Sequence, residues 1–208
     1  INEHYHSVNG AIQESNHVFI NAGLRECNKD IIQIFEIGFG TGLNALLTLN
    51  ECLKSKKEIH YTSIEAYPLQ LSLIKELNYT EQYSPSETEL FYKMHEVEWG
   101  REAKINEGFY LRKIEADLTT FDILSLEQNI DLIYFDAFAP DKQPQMWTQD
   151  IFDNLYNKTS DNGILTTYCA KGMVRRMMQQ AGYTTERLSG PPGKREMLRA
   201  TKKITSDI

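Results

Sequence analysis

The chain has 208 residues and a formal net charge of −7, enough for one domain with a full core but short for two at about 150 residues each. No run of about 18 apolar residues occurs, so no stretch reads as a spanning helix. Cys27, Cys52 and Cys169 form no C-x-x-C pair, which excludes a disulfide framework or a zinc knuckle and fits a reducing cytoplasm. The "HYH" at 4–6 has no third ligand at suitable spacing, so no metal is expected. The first residue is Ile1, which points to a longer reading frame or to trimming and leaves a removed signal peptide open.

In chain order, residues 1–30 are expected to form an N-terminal hairpin or extension. The first strand is 31–37, followed by a helix over 42–54 with Leu43, Leu46, Leu47 and Leu53 at helical spacing. A second strand at 60–67 leads to Pro68, a residue suited to a first helical position, and a helix to about Leu77. Residues 79–107 are too long for an ordinary connection and read as a partly helical insertion. Strands follow at 109–115, 130–138 and 163–170, then a helix over 171–181. Two short runs around "SGPPGK" close the chain as an antiparallel hairpin. Alternation of this kind is the pattern of a doubly wound α/β domain with a mostly parallel, seven-stranded, Rossmann-like sheet and an antiparallel last strand.

Between the first strand and its helix lies "FEIGFGTGLNAL". Gly38, Gly40 and Gly42 let the backbone turn sharply and let a ligand approach closely. A dinucleotide fingerprint would need glycine at 43, where Leu43 stands. Glu36 would gain nothing beside a pyrophosphate but suits a cation, and S-adenosylmethionine carries a sulfonium and an ammonium. The loop therefore reads as an S-adenosylmethionine loop, and the sheet as the class I methyltransferase type.

Ligands of open α/β sheets bind beyond the carboxyl ends of the strands, and carboxylates stand there. Glu65 can accept both ribose hydroxyls. Asp117 can accept from an adenine amino group, or it can cap the following turn. Asp136 follows an apolar and aromatic run in "LIYFDAFAP", a costly place for a carboxylate without a task. It can hydrogen-bond an incoming amine and favour the neutral nucleophile, or serve the fold alone.

Several blocks, in order, resemble the methyltransferase half of the bacterial tRNA-modifying enzyme MnmC and its single-domain relatives. They are "YHSVNGAIQESNHVFI", the glycine loop, "FDAFAPDKQPQMWTQDIF", "MVRRMMQQAGY" and "GKREMLRA", and the match covers nearly the whole chain. The resemblance implies methylation of the 5-aminomethyl group on a wobble (2-thio)uridine of tRNA. It assigns Glu36, Gly38, Phe39, Gly40, Thr41, Gly42 and Asn44 to the cofactor, with Glu65 on the ribose, Asp117 on the adenine and Asp136 beside the reacting amine. Tyr5, Ser7, Glu14 and Pro140 join them as site-lining residues. The flavin oxidase that follows in two-domain members is not expected after the last strand here, and the substrate amine is then expected to come from another source. An aminopropyltransferase and a non-catalytic adenosine-binding module stand as alternative readings.

Charge is unevenly spread. Residues 161–208 hold nine Lys or Arg against four Asp or Glu, a balance of +5, while residues 1–160 stand at −12. Lys171, Arg175, Arg176, Lys194 and Arg195 are therefore expected to meet anticodon-arm phosphates, with Phe138 or Trp147 stacking on an extruded base. Core packing is the other reading of Trp147.

Overall fold

The computed structural model describes residues 10–77, 79–81 and 83–204. Tyr5, Ser7 and the "HYH" at 4–6 lie outside them. Alternating apolar runs fold into one sheet in the order β3-β4-β2-β1-β5-β6-β8-β7. Its strands are β1 (Ile31–Ile37), β2 (Glu58–Glu65), β3 (Glu102–Asn106), β4 (Phe109–Glu115), β5 (Ile130–Phe135), β6 (Thr159–Thr167), β7 (Thr184–Ser189) and β8 (Glu196–Thr201). The central five, β4-β2-β1-β5-β6, are parallel. β3 runs antiparallel to β4, and β8 antiparallel to both β6 and β7.

Period-two alternation explains how the sheet buries both faces. On β1, Ile32 and Ile34 point into one core with Leu46, Tyr61, Phe91 and Tyr134. Phe35 and Ile37 point into the other with Phe135, Trp147, Phe152 and Val174. The first core is covered by α1 (10–21), α2 (Leu43–Lys54) and α4 (Pro85–Glu96), the second by α5 (Gln149–Lys158) and α6 (Gly172–Ala181). A short α3 (Leu71–Lys75) follows β2.

Four expectations change. The sheet has eight strands rather than seven, because the 79–107 segment supplies β3 as well as a helix. The turn before β4 needs Gly108 at φ 74°, where a Cβ would stand 3.1 Å from the Lys57 carbonyl. Residues 10–26 are helical, ending in a π-helical stretch at Asn16–Asn21 and a 3-10 turn at Leu24–Glu26, so the part of the N-terminal region that is described is no hairpin. Its buried and partly buried residues Ala11, Ser15, Val18, Phe19 and Ala22 recur at helical spacing. The helix after β2 starts at Leu71, leaving Pro68 outside it. The strand before Asp136 stops at Phe135, which leaves 136–138 as loop.

The insertion also supports the glycine loop. Ser84 and Glu87 form a capping box ahead of α4, with Pro85 in its first turn, and α4 delivers His95 beneath residues 39–42. The Phe39 ring lies 5.3 Å from His95 and 6.2 Å from Trp99. Lys113 of β4, 1% exposed, donates to the His95 carbonyl at 2.7 Å and sits 4.8 Å over the Trp99 ring. A cation at a helix C-terminus is favourable. Burial lowers the Lys113 pKa to about 8, and burial together with Lys113 lowers that of His95 to about 4.

Gly42 has φ 73°, and a Cβ there would come within 2.8 Å of His95 Nε2. Gly42→Ala is expected to destabilise the fold by about 1–3 kcal/mol through left-handed strain and this clash. Urea unfolding of the two proteins measures it, and an unchanged midpoint would mean that α4 does not press on the loop.

Candidate active site

Chain order reverses beside β1, whose neighbours are β2 on one side and β5 on the other. A cavity of about 470 Å³ opens there, at the carboxyl ends of β1, β2, β4 and β5, where the geometry of an open α/β sheet puts a ligand. Its floor is the glycine loop. Gly38, at φ 93°, donates to the Ile64 carbonyl at 2.9 Å, and a Cβ on it would stand 3.2 Å from the Asp136 carbonyl. Only glycine lets β1 and β5 close on each other at this height.

Glu65 ends β2 on the cavity wall. Its Oε2 accepts from the Gly40 amide at 3.0 Å and its Oε1 from the Tyr67 amide at 2.9 Å, which locks the carboxylate in place and leaves further lone pairs facing the cavity. Asp117 lines the same wall beyond β4. Its Oδ1 accepts from the Thr119 amide and hydroxyl, both at 2.8 Å, so the capping role is real and Oδ2 is the oxygen left for a ligand.

Glu36 does not reach the cavity. Its carboxyl is fully buried and takes hydrogen bonds from Ser63 Oγ at 2.7 Å and Asn44 Nδ2 at 3.0 Å. Burial, together with the charge of Asp136, raises its pKa to about 8. Glu36, expected to touch the cofactor, is instead enclosed and linked to the cavity wall through Asn44, which does line the cavity and also donates to Asp136 Oδ2 at 2.8 Å. Asp136 is on the wall, and burial raises its pKa to about 7.

Phe39, Gly40 and Thr41 line the cavity with Glu14 and Phe138, while Pro140 is buried away from it. Phe138 is 74% exposed at the rim, whereas Trp147, 3% exposed, packs against Phe135 and donates its indole N–H to the Phe138 carbonyl at 2.8 Å. Trp147 therefore holds the loop that presents Phe138 and is out of reach of a base. None of the expected basic residues lines the cavity. Lys171 pairs with Asp141, and Lys194 pairs with Glu14 and lies 4.3 Å over the Tyr168 ring. Arg175, Arg176 and Arg195 form no ion pair among the described residues; the first two lie on α6, which begins past the carboxyl end of β6, and Arg195 lies in the β7–β8 turn beside that same end.

Sequence reading missed Tyr168, which lines the cavity and donates to the Ala137 carbonyl at 2.8 Å. Its position just past the carboxyl end of β6 was the available signal. It missed Tyr67 and Tyr79 as lining residues too. Among the described residues no cluster of three His, Cys, Asp or Glu side chains suits a metal ion, and no helix is long and apolar enough to cross a membrane.

Residues 86–203 match a family described as S-adenosyl-L-methionine-dependent methyltransferases. The chain belongs to this family. The methyltransferase is 30% identical, over 97% of its own length and 33% of the relative's, to the tRNA 5-methylaminomethyl-2-thiouridine biosynthesis bifunctional protein MnmC of Campylobacter fetus. It is 31% identical, over 93% and 32%, to the MnmC of Leptospira interrogans. The chain thus spans about a third of the length of these curated relatives. Its fold is shared with MNMC2 from Aquifex aeolicus (TM-score 0.73, 21% identity, 93% of this chain and 61% of that one) and with TrmN from Thermus thermophilus (TM-score 0.52, 13% identity, 87% and 47%).

The site's own chemistry fits the family's cofactor. Three glycines at positive φ leave backbone open to a ligand, Glu65 is an acceptor anchored to the loop at Gly40, and Asn44 Oδ1 is a buried acceptor without a partner beside the cavity. A cationic ligand is favoured where Asp136 lines a desolvated wall.

The raised acids make a stability prediction. A carboxyl whose folded pKa lies above its unfolded value binds its proton more tightly in the folded state, so its contribution is fully present below the unfolded pKa and is lost as pH rises through the folded one. Glu36→Gln, which keeps a neutral group, is expected to match wild type near pH 4.5 and to become progressively more stable than it up to about pH 8, with no further gain above. Melting temperatures across that range test this, and a difference independent of pH would mean that Glu36 is ionised throughout.

Proposed function

We propose that this methyltransferase transfers a methyl group from S-adenosylmethionine to the primary amine of 5-aminomethyl-(2-thio)uridine at the wobble position of tRNA, giving the 5-methylaminomethyl nucleoside. The observation that carries the reading is Asp136. It is a carboxylate on the cavity wall, at the end of β5, poised to titrate near neutral pH, with an exposed aromatic residue two positions on. The names of the MnmC relatives supply the substrate that such a site suits.

When bound, the cofactor supplies an electrophilic methyl on a sulfonium, which passes to nitrogen as the sulfur–carbon bond breaks and a neutral thioether leaves. The glycine loop's backbone seats the amino-acid end, Glu65 accepts from the ribose hydroxyls, and Asp117 Oδ2 accepts from the adenine amino group. Asp136, ionised, accepts a proton from the substrate's alkylammonium and leaves the amine lone pair free to attack. Positioning and desolvation are the rest of the catalysis, and neither requires a nucleophilic side chain. Phe138 stacks on the extruded uracil from the rim.

The deciding experiment incubates the protein and S-adenosylmethionine with tRNA that carries the aminomethyl nucleoside and follows nucleoside mass, with putrescine as the competing acceptor. Mass gain of one methyl on the wobble nucleoside is expected; reaction of the polyamine, or of neither, would overturn the reading. Glu65→Ala is expected to weaken cofactor binding by roughly tenfold or more, since each charge-assisted bond is worth about 1.5–3 kcal/mol. Asp136→Asn is expected to lower kcat by about 10²-fold with much less effect on cofactor affinity, and a kcat within about twofold of wild type would make Asp136 structural.

For tRNA docking, the cations free of ion pairs are the ones to remove. Replacing Arg175, Arg176 and Arg195 with Gln is expected to flatten the log–log salt dependence of tRNA binding by about 0.7–0.9 for each phosphate interaction removed. Equal slopes would place the tRNA on another surface.

A further inference from the structure

Asn44, in the first turn of α2 and 4% exposed, stands between two carboxyl groups. Its Nδ2 donates to Glu36 Oε1 at 3.0 Å and to Asp136 Oδ2 at 2.8 Å, while its Oδ1 is buried without a partner. An amide nitrogen carries two hydrogens, and both are used here. Turning the amide over would set its carbonyl oxygen against Asp136 Oδ2, so an ionised Asp136 fixes its orientation. Glu36 is held in turn by Ser63 Oγ on its other oxygen at 2.7 Å. The chain Ser63–Glu36–Asn44–Asp136 thus runs from the middle of β2, under the glycine loop, to the cavity wall.

We propose that Asn44 and Glu36 are a positioning pair for Asp136: the buried Glu36 carboxyl clamps the Asn44 amide so that one N–H always meets Asp136 Oδ2 and aims that carboxyl into the cavity. The proposal rests on Asp136 being the amine-facing group. The groups that face Glu36 are Tyr61 and Ser63 from β2, Tyr134 from β5, Asn44 from α2 and Asp136. None is a cation, so nothing there supports a charge on Glu36. Those facing Asp136 are Asn44, Glu36, Tyr61, Glu14 of α1, Lys194 of the β7–β8 turn and Tyr168. Glu14 and Lys194 oppose each other as an ion pair, which leaves the Asn44 N–H as the interaction that favours the ionised form of Asp136. A neutral Glu36 accepts from Asn44 without setting a second negative charge beside the first, and an alanine or leucine at 36 would leave the amide free to swing.

The test reads Asp136 directly. The carboxyl ¹³C signal of Asp136, assigned by its loss in Asp136→Asn, is titrated in the ligand-free protein and in Asn44→Ala, Glu36→Gln and Glu36→Ala, and the pH dependence of kcat is measured alongside. Asn44→Ala is expected to raise the midpoint by about one unit, so that at pH 7 the ionised fraction falls from about a half to about a tenth. The acid limb of its rate profile should move by the same amount as the carboxyl midpoint, a shift that a merely structural loss would not produce. Glu36→Ala should follow Asn44→Ala, while Glu36→Gln should keep the wild-type midpoint. Asn44→Ser, which has one hydroxyl hydrogen and cannot bridge both carboxyls, serves if Asn44→Ala does not fold and should shift the midpoint in the same direction. An unmoved midpoint in the Asn44 variants overturns the pair, as does a Glu36→Gln midpoint lowered as far as Asn44→Ala raises it, because Glu36 would then act as a charge. Since the titration needs no substrate, failure of wild type to methylate tRNA would strike the substrate reading alone.

Discussion

The backbone of residues 38–42 takes a positive φ at each of Gly38, Gly40 and Gly42, and four neighbouring elements hold it there. β2 fixes it through the Ile64 carbonyl and the Glu65 carboxylate, β5 closes on it at the Asp136 carbonyl, and α4 rises against it with His95. α2 begins where it ends, with Gly42 as its N-terminal cap. The loop is therefore the joint at which the parallel strands, the inserted helix and the cavity share their geometry. Moving any one of these neighbours moves the floor of the cavity and the height of Asp136 together.

The same closeness sets the electrostatics. Bringing β1 and β5 together shuts water away from Glu36 and Asp136, and with no cation against Glu36 its acid is pushed up by burial, as is that of Asp136. A carboxylate that titrates near neutral pH can both take a proton from an alkylammonium and give it up to solvent, whereas an exposed aspartate would stay ionised and bind the proton weakly. Lys113 completes the arrangement from the other side. Its ammonium is engaged by a helix carbonyl and two aromatic rings, which stiffens the support of the loop without placing a positive charge where a sulfonium has to sit.

Much of this was legible in the chain. The run into Glu36, the three glycines and the acids at 65, 117 and 136 fall at strand ends because the apolar runs before them have strand length, and position along the strand suffices to set their height over the sheet. What stayed hidden depends on interactions between residues distant in sequence. Glu36 reads as a ligand group because nothing local shows that Ser63 and Asn44 enclose it. Trp147 reads as a stacking platform because its partners Phe135 and Phe152 are core residues of other elements. The C-terminal excess of positive charge reads as a polyanion surface, yet Lys171, Lys194, Arg187 and Arg199 are matched by Asp141, Glu14, Glu196 and Glu186, two of those acids lying in the acidic part of the chain. Charge counted along the sequence missed pairings made across the fold. β3 was hidden because Glu102–Asn106 is short and polar on most positions, and its place in the sheet is given by the Gly108 turn and by pairing with β4.

A loop at 38–42 with the anchored carboxylate of Glu65 beside it should seat S-adenosylmethionine and not a pyrophosphate-bearing cofactor. Titration calorimetry of the protein with S-adenosylmethionine and with NADH separates the two. Saturable binding of S-adenosylmethionine at one site per chain is expected, with no detectable heat from NADH. Binding of NADH, with S-adenosylmethionine silent, would contradict this.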